Sequence, residues 1–350
     1  MGVEAQGGPL GGELAKPVTM RDVAQHAGVS RSTVSYALTQ PERLSKETLQ
    51  RVTKSIGALG YIGNDAARQL RVGRSRALGL IVSNMMNPIY AEMANGADTE
   101  ATRHGRFVLL ANSRESAQRE LEHIAFFESQ QVTGVLIAPV ARVPARLLEI
   151  RRRGTPFVVI GSPAEPGDYP YLSGDNEEGG YLAMAHLLAQ DRRRVLFVGG
   201  SHHHVDDRLR GARRAIRAAK DGGLSLKVTR VKHQTAADGG RAAAALLAMP
   251  RPLLPDGIFA GNDLLALGLL HALLGGGVRV PEDVSLVGYD DIEFAEFAIV
   301  PLTSVRHPSA ELGASAVRLL MGGAGLGDAV VERQAFKPEL ITRNSSLPVN

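Results

Sequence analysis

TMRDVAQHAGVSRSTVSYAL, residues 19–38, decides the architecture of the N-terminal part of the chain. Thr19-Met20-Arg21-Asp22 has the form of a capping box, and Val23, Ala24 and Ala27 follow at helical spacing, which predicts a helix over 20–27. Gly28 ends it, and the short turn Gly28-Val29-Ser30 leaves Ser30 to cap a second helix whose apolar face is Val34, Ala37 and Leu38. A third helix opens at Ser45, repeats Leu49, Val52, Ile56 and Leu59, and closes before Gly60. Two helices joined by a tight glycine-bearing turn form a helix-turn-helix, in which the second helix enters the major groove of DNA. Its first turn and outward face then place Arg31, Ser32 and Tyr36 at base edges, with Thr33 and Ser35 against the sugar-phosphate wall. Thr19, at the start of the first helix, is counted with the DNA-facing residues.

Charge supports that reading. The chain carries only +4 overall, but residues 16–76 hold eleven basic side chains against four acidic ones, a local +7 that leaves −3 for the rest. A basic head on a near-neutral body suits a polyanion-binding module joined to something else. At 350 residues the chain exceeds one core. A composition of 44% apolar and 22% charged residues, with no long uncharged apolar run, gives no membrane-spanning segment. Residues 1–16 are glycine-rich and read as a disordered extension rather than a signal. Zero cysteines exclude disulfides, thiolate metal sites and a cysteine nucleophile, and with no export signal the cytoplasm is expected, in association with the nucleoid.

From Ala77 onward, β-rich runs at 77–82, 107–111, 134–137, 157–160, 195–199, 257–260 and 285–289 alternate with amphipathic stretches. Such alternation implies parallel sheets covered by helices, an α/β architecture whose ligands sit just past the carboxyl ends of the strands. Polar residues appear at those places: Asn87 after the first run, Asn112 and Ser113 after the second, Asn262 and Asp263 after the sixth, Asp290 and Asp291 after the seventh. Carboxylates and amides around a cleft suit a polyol, whose hydroxyls both donate and accept. With no tryptophan, stacking on a sugar ring would fall to Tyr or Phe.

The stretch from Pro17 to Leu38 strongly resembles the head of the lactose-repressor/galactose-repressor (LacI/GalR) family. The resemblance continues through Gly60-Tyr61-Ile62, through NDAARQLR at 64–71 and through ELITRNSSLP at 339–348, so it covers nearly the whole chain. It implies a three-helix helix-turn-helix domain (17–63), a hinge helix and linker (64–76), and a periplasmic-binding-protein-like body (77–347). In that body, lobe one would take 77–176 and 305–335, and lobe two 177–304 and 336–347, with crossings near 176, 304 and 336. In the hinge, Asn64, Ala67 and Leu70 would meet the minor groove, Leu70 as a wedge between base pairs. Asp290, Asn262 and Arg208 match the family's effector contacts, Arg208 lying three residues before Gly211 as the pattern requires. Asn87-Pro88-Ile89-Tyr90 stands where the family has an Asn-Pro-aromatic motif, with Asn87 and Tyr90 as pocket wall and Ile89 as a departure. A second departure is Tyr36, where many relatives carry Arg, so the operator sequence does not carry over. The resemblance implies a repressor that binds a palindromic operator as a homodimer and answers to a sugar-like effector, with no catalysis, metal or cofactor. No leucine heptad follows Leu340, so the coiled coil that makes some relatives tetrameric is not expected.

Other signals point elsewhere more weakly. His202-His203-His204 reads as a solvated loop, because three consecutive side chains cannot converge on a metal. Arg151–Arg153 and Arg192–Arg194 read as exposed helix ends. Neither a dinucleotide nor a P-loop fingerprint occurs. A transporter's solute-binding protein and a sugar-processing enzyme are the competing classes: the first needs an export signal, the second turnover.

Overall fold

The computed structural model describes residues 18–62, 75–161, 167–323 and 333–347, in two compact units that divide after residue 73. Residues 1–16 and the hinge positions Asn64, Ala67 and Leu70 lie outside the described residues.

In the first unit, α1 (Met20–Ala27), α2 (Arg31–Thr39) and α3 (Lys46–Leu59) follow from their caps. Thr19 closes a capping box: its backbone N–H donates to the Asp22 carboxylate at 2.8 Å while its hydroxyl accepts from the Asp22 N–H. Ser30 and Ser45 accept from the third residue of their helices, and Gly28 and Gly60 turn the chain at φ of +64°. Val23, Ala24, Ala27, Val34 and Val52 form the core together with Tyr61. Leu38 departs from expectation: it is 41% exposed, because the single apolar stripe of so short a helix is already satisfied by Val34 and Ala37.

The second unit is two α/β lobes. Strands β1 (Ala77–Val82), β2 (Phe107–Asn112), β3 (Val135–Ile137), β4 (Phe157–Ile160), β5 (Tyr171–Gly174) and β11 (Arg333–Phe336) make one sheet in the order β11-β5-β4-β3-β1-β2. The other has the order β12-β10-β9-β8-β6-β7, from β6 (Arg194–Gly199), β7 (Ser225–Arg230), β8 (Gly257–Ala260), β9 (Ser285–Asp290), β10 (Thr303–Arg306) and β12 (Glu339–Ile341). Pairing is parallel except between β10 and β12. Side-chain alternation splits each sheet's core in two: Leu78, Leu80 and Val82 pack on one face while Ile81 packs on the other. The chain passes between sheets after β5, after β10 and after β11; the second passage follows Arg306, because β10 stays in register with β9 through Asp290.

Strand β1 leads into α4 (Pro88–Arg103), β2 into α5 (Ala117–Ser129), β3 into α6 (Ala145–Arg152), β5 into α7 (Asn176–Ala189), β6 into α8 (His203–Ala219), β7 into α9 (Ala236–Leu247), β8 into α10 (Asp263–Gly275) and β10 into α12 (Ser309–Met321); the single turn α11 (Glu293–Glu296) follows β9. Three helix pairs, α4 with α12, α7 with α8 and α9 with α10, meet at glycines on both partners. A Cβ on Gly96, Gly313, Gly180, Gly211, Gly239 or Gly268 would sit within 2.2 Å of a backbone oxygen of the facing helix. Arg151 and Arg153 do close a helix, but Arg192–Arg194 do not: Arg194 opens β6 and Arg192 donates to the Pro281 carbonyl. The arginines here satisfy carbonyls and carboxylates between strands rather than a helix dipole.

Candidate functional site

In the second unit a cleft of about 440 Å³ opens between the lobes, at the carboxyl ends of the strands. Asn87, Tyr90, Arg208, Asn262 and Asp290 all line it. Asn87 and Asn262 are there because each caps the helix that follows its strand: Asn87 Oδ1 accepts from the Ile89 N–H at 3.2 Å, and Asn262 Oδ1 from the Leu265 N–H at 2.9 Å. Their amide nitrogens point inward, that of Asn87 to Asp290 at 3.4 Å and that of Asn262 to the Gln234 carbonyl at 3.1 Å.

Arg208 is the most constrained residue of the site. Its Nε donates to Asn176 Oδ1 at 2.9 Å, Nη1 to the Gly261 carbonyl at 2.5 Å and Nη2 to Asp290 at 3.4 Å. Its guanidinium also lies 3.4 Å from the centroid of the Tyr289 ring. Both members of the Arg208–Asp290 pair are about 95% buried. Burial raises the Asp290 carboxyl to about 6 despite the opposing pull of Arg208 and Asn87, as befits a desolvated pair. Asp290 and Asp291 have φ of 107° and 55°, left-handed backbone that L-residues seldom adopt and that aims Asp290 into the cleft.

The remaining polar residues expected past strand ends do not reach the cleft. The Ser113 hydroxyl donates to the Val82 carbonyl, and Asn112 Oδ1 accepts from the Arg114 N–H. Asp263 is buried behind Asp290, accepting from Ser304 and from the Ile292 N–H, with its carboxyl pushed well up by burial. Asp291 pairs with Arg306 and Arg343.

Glu115 is reached instead. Like its neighbour Arg114 it has positive φ, and its carboxylate accepts from Asn84 at 3.0 Å while meeting His233 of the other lobe at 3.1 Å. A left-handed pair one residue past the expected position left no periodic signal in the sequence. The histidine run also departs from expectation: His202 precedes α8, and His202, His203 and His204 line the cleft instead of forming a solvated loop. Burial and then Arg208 hold the His204 imidazole well below its ordinary pKa, and the same causes lower the buried His307, also on the cleft wall, to about 3. His204 and His307 are therefore neutral imidazoles on the cleft wall. Tyr90 is bound by the Ser83 hydroxyl at 2.5 Å, and burial raises its phenol, so it remains a neutral donor.

In the first unit, Arg31, Ser32 and Tyr36 are exposed on α2, with Thr33 and Ser35 half-buried. The Ser32 and Thr33 hydroxyls join the Ser30 cap at 2.7 and 2.8 Å. The Arg43 guanidinium lies 5.7 Å from the Tyr36 ring centroid, a stack that sequence spacing did not reveal and that puts a further cation beside α2.

A basic helix-turn-helix unit and a two-lobed body with a buried polar cleft define a transcriptional regulator with a built-in sensor. Residues 19–64 match the profile of bacterial regulatory proteins of the lacI family, and residues 184–346 match a periplasmic binding protein-like domain. The chain is 30% identical to the ribose operon repressor of Escherichia coli (strain K12) over 332 residues, covering 94% of this chain and 99% of that one. It is 28% identical to the HTH-type transcriptional repressor PurR of Aliivibrio fischeri (strain MJ11), covering 94% and 98%. Among solved structures, a lac repressor dimer bound to operator and the anti-inducer ONPF is 25% identical, with TM-score 0.83 over 95% of this chain and 100% of that one. A complex of the transcriptional regulator CelR with cellobiose is 30% identical, with TM-score 0.69 over 94% and 100%. The chain belongs to the lacI family of bacterial regulatory proteins. Its relatives are repressors, so the enzyme reading is set aside.

Proposed function

We propose that this protein is a homodimeric repressor of a palindromic operator, and that a sugar or related polyhydroxy metabolite in the cleft is its effector. Arg31, Ser32 and Tyr36 read base edges, while Thr19, Thr33 and Ser35 face the backbone. Arg208 and Asp290, with Asn87, Asn262 and Tyr90, hold the effector. A cytoplasmic location follows from action on chromosomal DNA, and nucleoid association is part of the proposal.

One observation carries this reading: the buried Arg208–Asp290 pair opens on a cleft that both lobes line. A desolvated ion pair is expensive to keep unless something uses its directional hydrogen bonding, and vicinal hydroxyls can both donate to the carboxylate and accept from the guanidinium. The relatives named for a ribose operon and for cellobiose point to the same ligand class. Closure of two lobes on a ligand alters how two bodies pair, and so how two heads are spaced on the half-sites.

The test selects an operator with the full-length protein, then measures binding to it with and without a panel of sugars. Asp290→Ala is expected to bind operator like the parent and to ignore the sugar. An equal response in mutant and parent would refute the assignment of the cleft.

A further inference from the structure

The chain beyond α2 carries a cation back to the exposed face of that helix. The Gln40 N–H closes the last turn of α2 on the Tyr36 carbonyl at 2.8 Å. One further tight turn, Pro41–Arg43, follows, with the Arg43 N–H on the Gln40 carbonyl at 3.0 Å and the Leu44 N–H on the Pro41 carbonyl at 3.1 Å. Pro41 opens that turn, where its fixed φ suits the geometry. The backbone between Tyr36 and Arg43 is thus tied down by hydrogen bonds, and it folds the Arg43 guanidinium over the Tyr36 ring at 5.7 Å from its centroid.

Tyr36 is 40% exposed, whereas Tyr61 is buried in the core, and no Phe or Trp occurs between residues 17 and 63. Among the described residues, Tyr36 is therefore the exposed phenol of the first unit. Arg43 is exposed too, and among the described residues no carboxylate or carbonyl takes its N–H groups. A cation on a ring face is held by the π cloud, which uses none of the guanidinium's N–H donors. Arg208 in the body is the contrast, with its donors spent on Asn176, Gly261 and Asp290.

Tyr36 alone discriminates poorly between base edges, because a hydroxyl both donates and accepts. A guanidinium only donates, and the parallel N–H groups along its edge match O6 and N7 of guanine in the major groove. Holding it on a ring also removes part of the rotamer freedom that a free arginine would lose on binding. Tyr36 follows Ser32 by four residues, so the two share a face of α2, and Arg43 continues that face past the end of the helix.

We propose that Arg43 is a further specificity residue for the operator, donating a pair of hydrogen bonds to a guanine in each half-site, and that Tyr36 is its platform, so that the two side chains read DNA as one unit. This rests on the reading that α2 enters the major groove.

The experiment selects operators from a randomised duplex library with the full-length parent, Arg43→Ala, Arg43→Lys, Tyr36→Phe, Tyr36→Leu, the combined Tyr36→Leu and Arg43→Ala variant, and Arg31→Ala. Gel shifts at fixed salt then measure affinity for the selected duplex and for its single-base changes. Both side chains are exposed, so each variant is expected to melt with the parent. Arg43→Ala is expected to lose about tenfold in the preference for guanine at one position of each half-site and to keep the preferences elsewhere. Arg43→Lys retains the charge without the paired donors and should lose the same preference. Tyr36→Phe retains the ring face and should keep it; Tyr36→Leu should lose it at the same position, with the combined variant no worse there than either single one. Equal loss on every duplex in Arg43→Ala, restored by Arg43→Lys, would make Arg43 a phosphate contact and overturn the proposal. Losses in Tyr36→Leu and Arg43→Ala that add, or that fall at different positions, would overturn it as well. If Arg31→Ala flattens one position while Arg43→Ala changes none, α2 still reads the groove and the Arg43 assignment alone falls. If the parent selects no preferred duplex, the groove reading falls with it.

Discussion

Glu120 is a carboxylate with almost no exposure, whose partner is the Val140 N–H at 2.9 Å, on the segment that walls the cleft. Burial pushes its carboxyl up to about 7, overcoming the opposing effect of that hydrogen bond. The folded protein therefore keeps a proton that the unfolded chain has released above about 4.5. The cost of burying the charge is complete above pH 7 and vanishes as pH falls toward 4.5. Glu120→Gln keeps the acceptor without the charge, so it should stabilise the body at pH 8 by up to about 3 kcal/mol and be neutral near pH 4.5. Thermal melts of parent and variant across that range check this; a gain that grows on acidification would contradict the buried-charge account. At this scale the sequence was legible where a residue has a local duty. Asn87 and Asn262 stand out as polar residues after a strand because they cap helices, and the same capping carries them to the cleft. Glu115 has no such local duty, and only the meeting of two lobes gives it one, through His233.

Elements were readable to the extent that they are buried on one face and capped. Helices α1 to α3 end at the caps and glycines that mark them in the sequence. Strands β1, β4 and β8 are continuous apolar runs because helices cover both faces of their sheets. Strand β7 (SLKVTR) escaped notice because it is an exposed edge carrying Lys227 and Arg230, and β11 and β12 because they are short returns between sheets. The glycine contacts between helices yield a prediction at this scale. A methyl at Gly211 of α8 would sit 1.8 Å from the Glu177 carbonyl oxygen of α7, a backbone atom that cannot rotate aside. Gly211→Ala should therefore force the two helices apart and cost about 2 kcal/mol or more, although alanine is the better helix former. Chemical denaturation of the variant checks it; an unchanged midpoint would mean that the helices separate freely. Because Arg208 lies one turn before Gly211, sugar response should suffer as well.

For the whole molecule, the proposed dimer has a physical mark on the second unit. Phe294, Phe297 and Ile299 are 57%, 75% and 81% exposed, an apolar cluster beside the end of β9 that a monomer has no reason to display. Phe297→Glu should weaken self-association at least tenfold, with operator affinity falling alongside it because two half-sites demand two heads; analytical ultracentrifugation with a gel shift measures both. An undiminished dimer would move the interface elsewhere. By itself, the sequence determined the local matters: where helices start and stop, which runs are covered on both faces, where the basic unit ends, and which family's pattern the residues follow. Those are set by neighbours within a few positions along the chain, by caps, periodicity and charge. Only the tertiary structure decided that the histidine run lines the cleft and that Glu115 meets His233 of the opposite lobe. Those pairings join residues from different βα units, and their desolvation and orientation exist only once the two sheets face one another.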